Sequence, residues 1–194
     1  MTFHSFFFIL LIIPTLLIVN PLFAANTNTR IIFAPKGGSL QAEVEEINKA
    51  KKTINIAMYN LTSIEIARAL IAAKDRGVTI RVFVDKVDEN TKHSQSRYLV
   101  DSGIEVKCYT GSRLMHNKFA VIDSRVLITG WTSTENTIHQ ENLLITTDRD
   151  KELIKQYSDR FEYLWTQGNI KVLESSRVRI SGDGAVISVN REGF

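Results

Sequence analysis

Charge is absent from the start of this chain: no Lys, Arg, Asp or Glu precedes Arg30, and the apolar run "FFFILLIIPTLLIV" extends from Phe6 to Val19. A run this short, broken by Pro14 and followed by the small residues Ala24 and Ala25, reads as a secretory signal over 1–24 rather than a membrane span. The missing Lys or Arg ahead of it keeps an uncleaved membrane anchor as the alternative. The chain is therefore expected to be exported, periplasmic or secreted, or else tethered to a membrane by this segment. Cysteine is nearly absent too. Cys108 stands alone, which excludes an internal disulfide, and its place in the alternating "IEVKCY" predicts a buried strand position rather than a reactive thiol. No internal repeat is present.

What remains is roughly 170 residues, enough for one domain with a layered core. All the charge lies there, with a formal net charge of +3 and a pI near 9.0. So mild a positive balance suits an anionic substrate without requiring one.

"RIIFAP" reads as a short strand ended by Pro35, Gly37 and Gly38. Leu40, Val44 and Ile47 recur at helical spacing and predict an amphipathic helix over 39–52. "TINIAMY" alternates as a strand, and "TSIE" at 62–65 reads as a capping box opening a helix that stops at Gly77. In "VTIRVFVD" the residues Val78, Ile80, Val82 and Val84 share one face. A polar helix over 89–102, the strand "IEVKCY", a hairpin from His116 to Gly130, the strand "ENLLITT" and a long helix over 148–165 follow. Strands alternating with helices at this spacing predict an α/β fold, an α/β/α sandwich around a mixed, partly parallel sheet. The domain is expected over 25–168. A C-terminal extension over 169–194 carries two alternating runs around Gly182-Asp183-Gly184, a hairpin signal.

The stretch with chemistry in it is "HNKFAVID". Side chains at i and i+2 of a strand point to one side, so His116 and Lys118 project together, with Ala120 and Ile122 continuing the same face. At a phosphodiester these two groups can act jointly, the ammonium neutralising non-bridging oxygens as charge moves while the imidazole attacks phosphorus or transfers a proton. The plainer reading is a histidine bonded to a backbone carbonyl and a lysine reaching solvent. His116, Asp123, His139 and Glu141 are all metal-ligand types, but their spacing matches no zinc pattern and an adjacent ammonium opposes a bound cation. Neither a metal nor any other cofactor is expected.

Asp123 at the turn and Gly130 closing "VLITG" complete a pattern that resembles the HxKxxxxD signature of the phospholipase D superfamily, in particular its short single-motif endonucleases and phospholipases. "IFAPKGG", the block from "AKKTINIAMY" to "TIRVFVD" and the terminal "YLW" extend the likeness from Arg30 to Gly168. The resemblance implies a phospholipase D-like fold and a phosphodiesterase that passes through a phosphohistidine, acting on nucleic acid (DNA or RNA) or on a phospholipid head group. It implies that His116 is the nucleophile or general acid, Lys118 the phosphate ligand, and Asp123 a buried partner that positions the site. Glu141 would accept a hydrogen bond from the second nitrogen of the histidine and fix its tautomer. Arg113 reads as a solvated loop cation more readily than as a substrate contact. Double displacement needs two histidines, and His139 reads as a surface residue, so the resemblance implies a homodimer that pairs two copies of His116.

The chain departs from the family where Ser-x-Asn should follow the glycine. Gly130 runs directly into Trp131 and Thr132. Losing two neutral donors of that kind costs roughly two to four kcal/mol per donor in the transition state. Thr132, Ser133 and Asn136 are the candidates to replace them in binding substrate. The alternative is an impaired relative that binds nucleic acid or anionic surfaces without cleaving them.

Overall fold

The computed structural model describes residues 29–130, 140–148 and 150–175, and the backbone of 179–180 and 186–187. Its centre is an eight-stranded mixed sheet. In chain order the strands are β1 (Thr29–Phe33), β2 (Thr53–Met58), β3 (Thr79–Asp85), β4 (Glu105–Tyr109), β5 (Lys118–Ile122), β6 (Val126–Thr129), β7 (Asn142–Thr147) and β8 (Ile170–Val172). Across the sheet they lie in the order β1-β7-β6-β5-β2-β3-β4-β8. β2, β3 and β4 are mutually parallel, and every other pairing in this sheet is antiparallel. The helices are α1 (Ser39–Lys49), α2 (Ile64–Asp75), α3 (Lys86–Glu89), α4 (Ser96–Asp101) and α5 (Lys151–Thr166).

The period-two alternation of the strands divides the core between two faces. Ile54, Ile56 and Met58 of β2, Ile80, Val82 and Val84 of β3, and Ala120 and Ile122 of β5 pack with α1, α2 and α4. Ala57, Phe83, Phe119 and Val121 point the other way, onto Ile154, Phe161, Leu164 and Trp165 of α5. The result is the expected α/β/α sandwich, because buried strands flanked by apolar helix faces leave no stable alternative to three layers. Cys108 is fully buried in β4. Burial, joined by the nearby carboxylates of Glu89 and Asp85, pushes its thiol up to about 12, so it is inert in the folded chain.

Four local expectations need correction. Ser63, not Thr62, caps α2: its hydroxyl accepts Ile66 N–H at 3.3 Å, and Glu65 bonds that hydroxyl instead of reaching back to the backbone. The polar helix over 89–102 is two short helices separated by a turn. The cause is Asp88, a fully buried carboxylate that accepts Leu61 N–H, the Ser94 hydroxyl and the Ser96 hydroxyl and so draws the 91–95 turn inward. The last helix begins at Lys151, after Asp148 has taken a left-handed conformation and paired with Arg125. β8, past Gly168, pairs with β4 and carries the sheet beyond the expected end of the domain. Further on, β9 (Arg179–Ile180) and β10 (Val186–Ile187) pair antiparallel as the hairpin pattern predicts.

Candidate active site

The carboxyl ends of the parallel strands β2 and β3 meet the amino end of antiparallel β5 at one end of the sheet. In α/β sheets, ligands bind outside the carboxyl ends of the parallel strands. His116 lies in the loop just ahead of β5 and Lys118 is the first residue of the strand, paired with Met58 at the end of β2. The histidine is thus outside the strand, yet the predicted juxtaposition holds. Lys118 Nζ is 3.1 Å from His116 Nδ1 and 3.3 Å from Nε2. A neutral imidazole has a single bare nitrogen, so the ammonium donates to whichever one that is. Burial lowers the pKa of Lys118 below the usual lysine range, and the negative charge of Glu141 partly restores it.

The imidazole is exposed, but its surroundings are ordered. The ring of Tyr59 packs against it, with centroids 4.5 Å apart and a tilt of 44°, and Lys118 Nζ lies 5.7 Å from the centre of the same tyrosine ring. Tyr59 N–H also donates to Asn117 C=O at 2.9 Å. Tyr59 was not evident from the sequence, where "MYNLTS" reads only as a strand end; the signal was its place at the end of the strand that pairs with β5.

Glu141 sits at the head of β7, and its backbone carbonyl accepts Ala34 N–H at 2.9 Å. Its Oε2 is buried and finds no hydrogen-bond partner among the described residues. The expected bond from Glu141 to His116 is not found among the described residues; the charge of Glu141 acts instead on Lys118. Asp123 requires a larger correction. It lies at the opposite end of β5, half-buried, where its carboxylate accepts the backbone N–H groups of Lys51 (2.9 Å), Lys52 (2.7 Å) and Thr53 (2.9 Å). It cannot touch a substrate at His116, because the whole of β5 separates them. Instead it fastens the α1–β2 connection to the β5–β6 turn, in which it and Ser124 both take positive φ, as a tight hairpin requires. Arg113 is exposed in the β4–β5 loop. Thr132, Ser133, Asn136 and His139 lie outside the described residues.

Gly130 is explained by geometry. Its φ is +74°, and a Cβ there would fall 2.2 Å from the carbonyl oxygen of Asn142. Only glycine lets β6 end this close to the start of β7.

The fold and the His–Lys pair together define a phospholipase D-like domain. A family model described as "Cardiolipin synthase, PLD-like domain" matches residues 44–165, and the chain belongs to this family, within the phospholipase D superfamily. Among curated proteins it is 34% identical over 122 residues to a mitochondrial cardiolipin hydrolase of Xenopus tropicalis, covering 61% of this chain and 57% of that one. It is 30% identical over 128 residues to a phospholipase D of Rickettsia prowazekii, covering 64% and 62%. The chain thus spans little more than half the length of the first of these relatives. Its fold is similar to that of a phospholipase D family member, Nuc from Salmonella typhimurium, with a TM-score of 0.70 at 23% identity over 76% of this chain and 98% of the other.

Proposed function

We propose that this chain is a phosphodiesterase that works as a homodimer through a phosphohistidine, with a phospholipid as substrate. The observation that carries the reading is the His116–Lys118 pair, an exposed imidazole and a partly buried ammonium on a fixed backbone, with the ammonium within 3.3 Å of both ring nitrogens. As the ammonium of Lys118 turns from the ring to the phosphate oxygens, the bare nitrogen it leaves on His116 attacks phosphorus, and the P–O bond to the leaving alcohol breaks as the partner's His116 gives that oxygen a proton. Water then attacks the phosphohistidine, losing its proton to the same partner's His116, and releases the phosphate product. Lys118 neutralises the non-bridging oxygens throughout. An ammonium this close to the imidazole opposes a cation on the same ring, which favours a reaction independent of metal.

The surface supports a twofold partner. Ile31 and Phe33, 58% and 68% exposed, lie on one face of edge strand β1, while Ile32 turns inward to the core. β1 ends beside Glu141, so a second copy seated on this strip would face the site end of the sheet. The names of the relatives, cardiolipin hydrolase and phospholipase D, favour lipid over nucleic acid, as does exposed Leu114, two residues from His116. A nucleic-acid substrate shares the same phosphate chemistry. An export signal or a membrane anchor over 1–24 suits a substrate at a membrane.

The test presents the protein with cardiolipin vesicles and, separately, with plasmid DNA, each with and without EDTA. Head-group release that survives EDTA is expected. Cleavage of DNA alone would move the substrate to nucleic acid. Binding of either without cleavage would favour the impaired relative, with the missing Ser-x-Asn as the cause.

A further inference from the structure

Asp85 is a fully buried carboxylate at the carboxyl end of β3, and none of the roles above uses it. Its two oxygens are divided. Oδ1 accepts Val87 N–H at 3.0 Å and caps α3, while Oδ2 accepts Met115 N–H at 2.6 Å, across thirty residues of sequence. The next residue, Lys86, donates through Nζ to Gly111 C=O at 2.7 Å in the same β4–β5 loop. On the far side of the histidine, Asn117 C=O takes the N–H of Tyr59. The backbone of His116 is therefore bracketed by anchored neighbours, while its imidazole alone reaches solvent. The Met115 side chain is buried against the α5 layer, so the peptide entering His116 is fixed by a bond and by packing.

We infer that Asp85 is the positioning residue of the site: through Met115 N–H, with Lys86 as a second tether on Gly111, it sets the direction from which His116 presents its ring. This rests on the reading of His116 as the nucleophile. Displacement at phosphorus depends on orientation, and misplacing a reacting group by about 1 Å can cost on the order of a hundredfold in rate. An amide in place of the carboxylate keeps the volume but has one oxygen, so Asp85→Asn satisfies Val87 or Met115 and turns an NH₂ toward the other.

The experiment uses the full chain and bis(p-nitrophenyl) phosphate, a minimal phosphodiester that needs no lipid or nucleic-acid contacts. Three variants are compared with wild type: Asp85→Asn, Lys86→Met, and Leu70→Ala as a core-cavity control in α2. Each is read by kcat, KM, melting temperature and the NMR resonance of the His116 imidazole, assigned by its loss in His116→Gln. Asp85→Asn is expected to lower kcat by about ten- to a hundredfold with KM within about twofold, and to shift or broaden the His116 resonance. Lys86→Met, which removes no buried group, should do the same to a smaller degree and decides the matter if Asp85→Asn does not fold. Leu70→Ala should lower the melting temperature alone. Folded Asp85→Asn or Lys86→Met with wild-type kcat and an unmoved imidazole would overturn the assignment. If wild type itself shows no turnover, the phosphodiesterase reading fails, and the imidazole spectra still decide whether Asp85 orients His116.

Discussion

The two ends of β5 carry the two halves of one sequence motif and are built on opposite plans. At the amino end, the backbone on either side of His116 is bonded while the imidazole is exposed and Glu141 Oε2 lacks a partner among the described residues. At the carboxyl end, the carboxylate of Asp123 is held by three backbone N–H groups, with the length of β5 between it and His116. The first arrangement leaves bonding capacity for an incoming phosphodiester; the second commits it to the fold. Spacing alone cannot separate these roles, since residues five apart on a strand differ in place by about 17 Å.

If the two ends divide their roles in this way, substitutions at each should produce opposite losses. His116→Gln should abolish turnover of a phosphodiester, by about a thousandfold or more, with the melting temperature unchanged, because an exposed ring contributes little to the core. Measured in parallel, Asp123→Ala should lower the melting temperature and leave kcat within about threefold. If Asp123→Ala abolished turnover in a protein as stable as wild type, the division of roles along β5 would be wrong.

A second prediction concerns the amino end alone. Tyr59 orders the imidazole by ring contact, and Lys118 lies near the same ring. Tyr59→Leu should lower kcat by about fivefold, the effect of losing one aromatic contact of about 1 kcal/mol that holds the reactive rotamer. Tyr59→Phe should restore wild-type kcat, since the ring and not the hydroxyl makes the contact. A tyrosine whose phenylalanine variant is as slow as the leucine variant would be acting through its hydroxyl instead.

Much of this was legible in the sequence, for a physical reason. Val78, Ile80, Val82 and Val84 pack on one helix layer as their alternation requires, and His116 and Lys118 meet because near neighbours at a strand end are brought together by local geometry. What the sequence concealed depends on contacts between distant segments. Asp85 reaches Met115 across thirty positions and Asp123 reaches Lys51 across seventy-two, and no local pattern records either. The break in the polar helix over 89–102 follows from the burial of Asp88, which is visible only once Leu61, Ser94 and Ser96 surround it. β8 is three residues long and half open to solvent, too short for alternation to declare it.

The weakest of these effects concerns how the carboxyl end of β5 responds to pH. Partial burial alone would raise the pKa of Asp123, but the N–H groups of Thr53, Lys51 and Lys52, with the charge of Lys52, outweigh it and hold the carboxyl below its ordinary value of 3.8. A group whose pKa is lower folded than unfolded stabilises the fold above the unfolded value, and that contribution is lost as pH falls through the folded one. Asp123→Asn keeps an oxygen for Lys52 and Thr53 but sets an NH₂ against Lys51 N–H. At pH 7 it should cost about 1–2 kcal/mol, the lower part of the range for hydrogen bonds to a charged group because the site is half open to water. Denaturant titrations of wild type and Asp123→Asn should therefore differ by a constant amount from pH 8 to about pH 5, then converge below pH 4 as the wild-type carboxyl takes up its proton. Two curves that stay parallel down to pH 2 would show that the ionised carboxylate is not what fastens the α1–β2 connection. The carboxyl end of β5 would then be held by turn geometry alone.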